Sequence, residues 1–170
     1  GLIDPILVGP EAKIRVAAED AKVDLTGFVF EATPHSHAAA ARAVELARSG
    51  RVEALMKGSL HTDELMAEVV DSKLGLRTER RISHCFVMAT HGHNEPLVVT
   101  DAAINIAPTL AEKADIVRNA IDLAHAIGID DVRVALLSAT ETVNPAIPST
   151  IEAAALCKMA DRGQISGAIL

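Results

Sequence analysis

The chain has 170 residues, a length compatible with one domain or two small ones, and 49% of them are hydrophobic, enough to bury a good core. Aromatic residues make up only 2%, with no Trp or Tyr, which argues against a stacking surface for single-stranded nucleic acid. A formal net charge of −7 also argues against binding to duplexes, which depends on clustered Lys and Arg. No apolar run reaches the roughly 18 residues of a membrane span, and no signal peptide is visible.

The first part of the chain alternates short apolar runs with helical patterns. Residues 5–9 (PILVG) and 26–31 (TGFVFE) predict strands, with a helix over residues 10–20 between them. A second helix is predicted over residues 33–49, where Gly50 follows its end. Residues 54–56 (ALM) predict a third strand, followed by a turn and a third helix. This alternation indicates βαβ units and a parallel sheet.

The turn before the third helix carries Lys57, Gly58, Ser59 and His61, and Thr62 is its predicted N-cap. A glycine lets a ligand approach the backbone closely, and the N-terminus of a helix attracts anions. An ordinary turn whose polar residues only cap the helix is the alternative, and the motif alone favours it.

After Gly75 the pattern changes to that of an antiparallel hairpin. Residues 82–90 (ISHCFVMAT) and 97–100 (LVVT) predict its two strands around a polar turn. The change places a boundary near residues 75–80, giving a first α/β lobe over residues 1–78 and a second over residues 79–170.

Two capping boxes predict helices in the second lobe. Thr109 with Glu112 opens a helix to residue 127, and Ser149 with Glu152 opens a helix that ends at Gly163. Both helices are apolar around much of their girth, which predicts burial on two sides, one of them against a dimer mate. Residues 132–138 (VRVALLS) and 165–170 predict strands.

Three polar clusters follow predicted strands, and parallel α/β sheets bind ligands at the carboxyl ends of their strands. The first is the turn at residues 57–62. In the second, Asp101 and Asn105 fit a ligand site and a structural Asx turn about equally well. In the third, Ser138 and Thr140 can donate to a phosphate or a carbonyl, with plain loop polarity as the alternative. Together the clusters favour a polar ligand.

Other reactive residue types point to no separate site. The pairs His35/His37 and His91/His93 have no set of Cys, Asp or Glu partners, so we predict solvated histidines and no metal. The cysteines, Cys85 and Cys157, lack metal-like spacing, which predicts buried free thiols in a reducing cytosol.

A basic cluster precedes the hairpin. Arg77, Arg80 and Arg81 either hold phosphate groups or form a charge patch beside the hinge, and the second is the commoner arrangement. Neither a GxGxxG motif nor a P-loop is present.

Four runs resemble the phosphate acetyl/butyryl transferase family: LMKGSLHT, GLRTERRISHCFVM, VVTDAAINIAPT and VALLSATETVNPAIPSTIEAAALCKMADRGQISGAIL. The resemblance covers nearly the whole chain. The last run is most similar to the butyryltransferase-like branch, including the form fused behind an enoyl-CoA hydratase-type domain. The resemblance implies an isocitrate/isopropylmalate-dehydrogenase-like architecture: two α/β lobes of largely parallel sheets flanked by helices, with a cleft between them and a dimer contact through the second lobe.

The same resemblance implies an activity, in which an acetyl or butyryl group moves between coenzyme A and inorganic phosphate when the CoA thiolate attacks an acyl phosphate. It implies acyl-CoA and phosphate as substrates, no tightly bound cofactor or metal, and a cytoplasmic homodimer. The substrate-binding residues it implies are Lys57, Gly58, Ser59, His61, Thr62, Asp101, Asn105, Ser138, Thr140 and Glu141.

The catalytic residues of the family are expected beyond Leu170, because its serine–arginine pair and thiol-deprotonating aspartate belong to a later segment. An arginine of the acetyl branch would fall near Ala67 or Glu68, and neither is basic. A chain that begins at Gly1 directly before a strand and stops within another is expected to be a piece of a longer protein, incomplete at both ends.

Two alternatives to the transferase remain. One is a non-catalytic, acyl-CoA-sensing domain of a larger enzyme, like the transferase-like domains behind malic enzymes. The other is a decarboxylating dehydrogenase relative with the same fold, although no carboxylate cluster with metal spacing is present.

Overall fold

The computed structural model describes residues 2–92 and 95–170, so His93 of the second histidine pair lies outside the described residues. The chain divides into two units, unit 1 (Gly1–Thr78) and unit 2 (Glu79–Leu170).

Unit 1 has α/β order: β1 (Ile6–Gly9), α1 (Glu11–Asp20), β2 (Val29–Ala32), α2 (Ser36–Arg48) and α3 (Thr62–Val69). β1 and β2 pair in parallel, as expected for strands joined through a helix, with Ile6 opposite Val29. α2 packs on β1 and on α3 and buries Ala40, Val44 and Leu46. The predicted strands at residues 5–9 and 26–31 are therefore confirmed within a few residues.

The prediction of a strand at residues 54–56 is wrong. An extended segment becomes a strand only when its backbone groups pair with a neighbour. Among the described residues the sheet of unit 1 contains β1 and β2 alone, and Met56 is 96% exposed.

Unit 2 begins with the predicted hairpin, in which β3 (Cys85–Met88) pairs antiparallel with β4 (Leu97–Thr100). α4 (Leu110–Ala126) starts at the predicted capping box, where Glu112 accepts from the Thr109 backbone N–H at 2.8 Å. The core of the unit is aliphatic. It contains Ala114, Val117, Ile121 and Ala124 of α4 together with Ile129, Val132, Leu156 and Ile165.

The segments at residues 132–138 and 165–170, predicted as strands, do not form a β-ladder with each other. One parallel bridge joins Arg133 to Ile169, made by Val134 N–H to the Ile169 carbonyl (2.8 Å) and Ile169 N–H to the Val132 carbonyl (3.0 Å). The side chains nevertheless alternate as in a strand, since Val132, Val134 and Leu136 pack in or against the core. The sequence pattern therefore predicts the side-chain directions correctly. The backbone pairing that would make a ladder is limited to this one bridge among the described residues.

Residues 165–170 lie against α4 through a glycine. Gly167 has φ +89°, and a Cβ there would lie 3.0 Å from Ile121 Cγ2 and 3.3 Å from His125 Nε2. The His125 ring lies 3.0 Å (Nδ1) from the Ile129 carbonyl oxygen and 2.8 Å (Nε2) from the Gly167 carbonyl oxygen. The end of α4 is thereby joined to this segment.

The second predicted capping box is wrong. α5 (Pro148–Asp161) starts with Pro148, whose missing N–H costs nothing at a first helical position, and its N-cap Ile147 has no side-chain cap. The buried Thr150 supplies the local hydrogen bonds: its hydroxyl accepts from the Asn144 N–H at 2.9 Å and lies 2.8 Å from the Ile147 carbonyl oxygen.

The cysteines are free thiols, as predicted. Cys85 and Cys157 are half-buried rather than fully buried.

Candidate functional site

A tight polar turn follows β4 and is organised by Asp101. One carboxylate oxygen accepts from the backbone N–H groups of Ala103 (3.2 Å), Ile104 (3.1 Å) and His84 (3.3 Å). The other accepts from the backbone N–H of Asn105 at 3.0 Å and from its side-chain amide. The turn is therefore folded around one carboxylate, which also holds the chain entering β3.

The environment of Asp101 favours its charged form. Burial acts to raise the pKa of this carboxyl, but the hydrogen bonds from the Asn105 side chain and from the Ile104, Ala103 and Asn105 backbone outweigh it. The pKa of Asp101 consequently lies below its ordinary value. An ionised Asp101 is thus part of the fold at neutral pH.

Asn105 extends the same network. Its amide nitrogen donates to the Ile82 carbonyl at 2.9 Å, and its amide oxygen accepts from Arg81 Nε at 2.7 Å. Arg81 also pairs with Glu112 on α4, at 3.2 Å. The hydrogen-bonding groups of Asp101 and Asn105 are thus occupied by the protein itself, which supports the structural-turn alternative for both residues.

The basic cluster is divided between the two units. Arg77 lies in unit 1, whereas Arg80 pairs with Asp122 and Arg81 with Glu112 in unit 2. The two arginines of unit 2 are thus partnered by acidic side chains of α4.

The third polar cluster lies in a bend before α5. The hydroxyl oxygens of Ser138 and Ser149 lie 2.7 Å apart, and either can be the donor. Thr140 donates to the Thr142 carbonyl at 3.0 Å, and Glu141 is exposed. Ser138 is therefore fixed beside the first turn of α5, while Glu141 extends into solvent.

The turn at residues 57–62 is an open loop in unit 1. Lys57 Nζ donates to the Leu60 carbonyl at 3.1 Å, and a Cβ on Gly58 would meet no atom within 4 Å. Ser59 is exposed. His61, rather than Thr62, is the N-cap of α3, so the predicted cap is displaced by one residue. The backbone around Gly58 is accessible, as an approaching ligand requires.

Glu64 joins two helix starts, a role that the sequence pattern does not reveal. Its carboxylate accepts from the His61 backbone N–H (3.3 Å) and the Ser36 hydroxyl (3.3 Å), and it lies 3.0 Å from His37 Nε2. The spacing His61-x-x-Glu64 is that of a capping box and is readable from sequence. The contact with Ser36 of α2 joins residues 28 positions apart, and sequence spacing cannot predict it.

Within residues 2–92 and 95–170, no three side chains of His, Cys, Asp or Glu lie close enough together to hold a metal ion. In the same part of the chain, no helix is both long and apolar enough to cross a membrane.

Relatives of known name match the chain along its length. The phosphate acetyltransferase of Rhizobium meliloti is 65% identical over 170 residues, covering 100% of this chain and 54% of that protein. The phosphate acetyltransferase of Rickettsia prowazekii is 58% identical, covering 99% and 48%. The phosphate butyryltransferase of Clostridium acetobutylicum is 41% identical, covering 100% and 56%. The chain spans about half the length of these curated relatives.

A solved structure has the same fold. The branched-chain phosphotransacylase from Enterococcus faecalis V583 superposes with a TM-score of 0.71 at 26% identity, covering 96% of this chain and 66% of that one. The α/β fold class is thereby confirmed. Residues 31–169 match the sequence pattern of the family described as "Phosphate acetyl/butaryl transferase", and the chain belongs to that family.

Proposed function

We propose that the chain is part of an acyltransferase that moves an acetyl or butyryl group between coenzyme A and inorganic phosphate. The observation that carries this proposal is the 65% identity to a phosphate acetyltransferase along all 170 residues. Identity to the two acetyltransferases above, 65% and 58%, exceeds the 41% to the butyryltransferase, which favours acetyl as the preferred group. For the choice of acyl group, identity over the whole chain is therefore a better guide than the similarity of the last run to the butyryl branch.

In the proposed reaction the CoA thiolate attacks the carbonyl carbon of the acyl phosphate. A C–S bond forms, and the bond between the carbonyl carbon and the bridging oxygen breaks. Phosphate leaves with that oxygen and the electron pair, giving acyl-CoA. The protein must align two anionic substrates, accept the thiol proton and stabilise the developing oxyanion. We assign no residue of 1–170 to proton removal.

Two groups of residues are proposed to contact substrate. In unit 1, the accessible backbone at Gly58 and Ser59, the start of α3 at His61 and Thr62, and the charge of Lys57 suit a phosphate group. In unit 2, Ser138 and Thr140 supply hydroxyl donors, and Glu141 lies in the same bend. Asp101 and Asn105 are proposed to act indirectly on the residues of unit 2, by fixing the turn after β4.

Further proposals rest on family membership. They are a cytoplasmic location, a homodimer formed through unit 2, an isocitrate/isopropylmalate-dehydrogenase-like fold, and CoA and phosphate as substrates without a tightly bound cofactor.

The activity is tested in a chimera, in which residues 1–170 replace the aligned half of the Rhizobium meliloti relative. The chimera should form acetyl-CoA from acetyl phosphate and CoA within about tenfold of the relative's kcat/KM. Butyryl phosphate should react more slowly. A folded chimera that binds acetyl-CoA but turns over neither acyl phosphate would contradict the proposal and favour the acyl-CoA-sensing alternative.

A further inference from the structure

The turn at residues 57–62 is connected to the rest of unit 1 through the start of α3. In the described part of the chain, the hydrogen bonds of residues 57–60 stay within the turn. Leu60 N–H donates to the Gly58 carbonyl at 2.9 Å, and Lys57 Nζ donates to the Leu60 carbonyl at 3.1 Å. The next residue, His61, is the N-cap of α3. The position of the accessible backbone at Gly58 therefore depends on where α3 begins.

α3 in turn depends on α2 for its position. It contains eight residues, none of them buried, and it packs on α2, which buries Ala40, Val44 and Leu46. A helix of this length is unstable alone and relies on contacts with the rest of the protein. The contacts that join the start of α3 to α2 therefore determine where the turn lies.

Glu64 makes such a contact with both of its carboxylate oxygens. Oε2 accepts from the His61 backbone N–H at 3.3 Å. Oε1 accepts from the Ser36 hydroxyl at 3.3 Å and lies 3.0 Å from His37 Nε2. The Glu64 side chain is only 16% exposed. One partly buried carboxylate thus connects the N-cap of α3 to the first turn of α2.

The charge of Glu64 argues against a direct contact with phosphate. A carboxylate and a phosphate group carry like charges and repel each other. The Glu64 carboxylate is instead stabilised by the protein, through the Ser36 hydroxyl and the positive ends of the two helix dipoles that begin beside it. Its effect on a bound phosphate is therefore exerted through the position of the turn.

We propose that Glu64 is a positioning residue for the phosphate contact at residues 57–62. This role rests on the proposed function, because the phosphate contact is part of it. Glu64 holds the His61 N–H against α2, so the turn that ends at His61 presents Gly58 and Ser59 to the ligand in one place. Without the carboxylate, the start of α3 and the turn before it shift together, and binding must then include the free energy of ordering them.

Kinetics of variants in the chimera defined above test this role. Glu64→Ala should raise KM for acetyl phosphate by about fivefold or more and leave KM for CoA within about twofold. Asp63→Ala is the matched control, since it removes an acidic side chain from the same helical turn without the contacts to α2, and its KM values should change by less than about twofold. Glu64→Gln should lie between them, because its amide oxygen can still accept from the His61 N–H.

Two kinetic results would overturn the proposal. One is a Glu64→Ala variant with the KM values of Asp63→Ala. The other is a KM for acetyl phosphate that falls in Glu64→Ala, because removal of a repelling charge would then be the main effect.

A double variant tests whether Glu64 acts through α2. His37→Gln alone should raise KM for acetyl phosphate by about twofold to threefold, and its addition to Glu64→Ala should cause no further rise. A double variant whose KM rises by the product of the two single effects would show that the residues act independently, against the proposal.

Amide hydrogen exchange measures the turn itself and needs no turnover. In Glu64→Ala the Leu60 amide should exchange at least about tenfold faster than in the unmodified chimera. The Leu76 amide, which donates to the Val69 carbonyl at 2.8 Å beyond the other end of α3, is the control and should change little. An unchanged Leu60 amide would contradict the role of Glu64, and so would equal acceleration at both amides, because α3 would then be destabilised as a whole.

Failure of this role is distinguishable from failure of the proposed function. An active chimera whose Glu64 variants keep the KM values of the unmodified chimera contradicts the positioning role alone. A chimera that turns over no acyl phosphate contradicts the proposed function, and exchange at Leu60 then decides whether Glu64 fixes the turn.

Discussion

The hydroxyl oxygens of Ser138 and Ser149 lie 2.7 Å apart, which joins the bend after residues 132–137 to the first turn of α5. If Ser138 donates to substrate, as proposed, Ser149 determines where that hydroxyl points. Its role is then positioning rather than direct contact.

In the chimera, Ser138→Ala should lower kcat/KM by about tenfold or more, the loss of one hydrogen bond in the transition state. Ser149→Ala should lower it less, by a few fold, because the Ser138 hydroxyl is retained but free to rotate. The exposed Ser72 provides a control, since Ser72→Ala should leave the rate unchanged. If Ser138→Ala has the kinetics of Ser72→Ala, the proposed contact is wrong.

Gly58→Val tests the phosphate contact in unit 1. A Cβ at Gly58 meets nothing within 4 Å, so valine should fit without a change in Tm. The branched side chain should nevertheless obstruct an anion that approaches the backbone, raising KM for acyl phosphate several-fold or more. Gly58→Ala should show a smaller effect of the same sign. Unchanged kinetics for the folded valine variant would identify the turn as purely structural.

Asp101→Asn should lower the free energy of unfolding by about 2 kcal/mol at neutral pH, because a charged acceptor of several backbone N–H groups is lost. The exposed Asp130→Asn is the control, with little change expected.

The effect of Asp101 depends on pH in a defined direction. Its folded pKa lies below the ordinary 3.8, so its stabilising contribution is complete above about pH 4 and is lost as the pH falls through the folded pKa. The difference between wild type and Asp101→Asn should therefore shrink in that acid range. Denaturant unfolding followed by circular dichroism measures it, and a difference that widens with acid would contradict the assignment.

Thr150→Val should destabilise unit 2 by about 1–3 kcal/mol. Valine keeps the shape of threonine, but it removes the hydroxyl that bonds the Asn144 N–H and the Ile147 carbonyl. Thr150→Ser restores the hydroxyl and should recover much of this loss. The exposed Thr142→Val should have a small effect. Thermal unfolding of the three variants decides the point, and equal Tm values would rule out this role for the hydroxyl.

Glu64→Gln should weaken the connection between α2 and α3 by about 1 kcal/mol or less, as expected for partly exposed pairs. Asp63→Asn removes a charge from the same first turn without the contacts to Ser36 and His37, and should cost less. Added salt should reduce the difference between the two variants. A larger loss for Asp63→Asn would mean that the helix dipole, rather than the α2 contact, is the main effect.

Local patterns in the sequence predicted α4 well, because Thr109, Glu112 and the apolar face of the helix are close neighbours along the chain. They failed for α5, where Ser149 and Glu152 match a capping box but bond to Ser138 and Lys113 instead. Those partners lie 11 and 39 residues away, and sequence spacing carries no information about them.

The site shows the same limit. An Asx turn at Asp101 was readable from residues 101–105, because its donors follow directly. The hydrogen bond from His84 to Asp101 joins distant segments, and so does the network that runs from Asn105 through Arg81 to Glu112. These long-range contacts show that the Asp101 carboxylate stabilises the fold. The strands at residues 54–56 and 132–138 were predicted from side-chain pattern, whereas ladder formation depends on neighbours that no local pattern specifies.

The close approach of Gly167 to α4 also fixes how residues 165–170 align with residues 132–134. A single bridge provides few hydrogen bonds to prevent one segment from sliding along the other. A shift of one residue would bring Ser166 or Ala168 to the place where a Cβ lies 3.0 Å from Ile121 and 3.3 Å from His125. The φ of +89° and these close contacts at Gly167 therefore disfavour a shifted alignment, and we expect a side chain at position 167 to produce a mixture of registers.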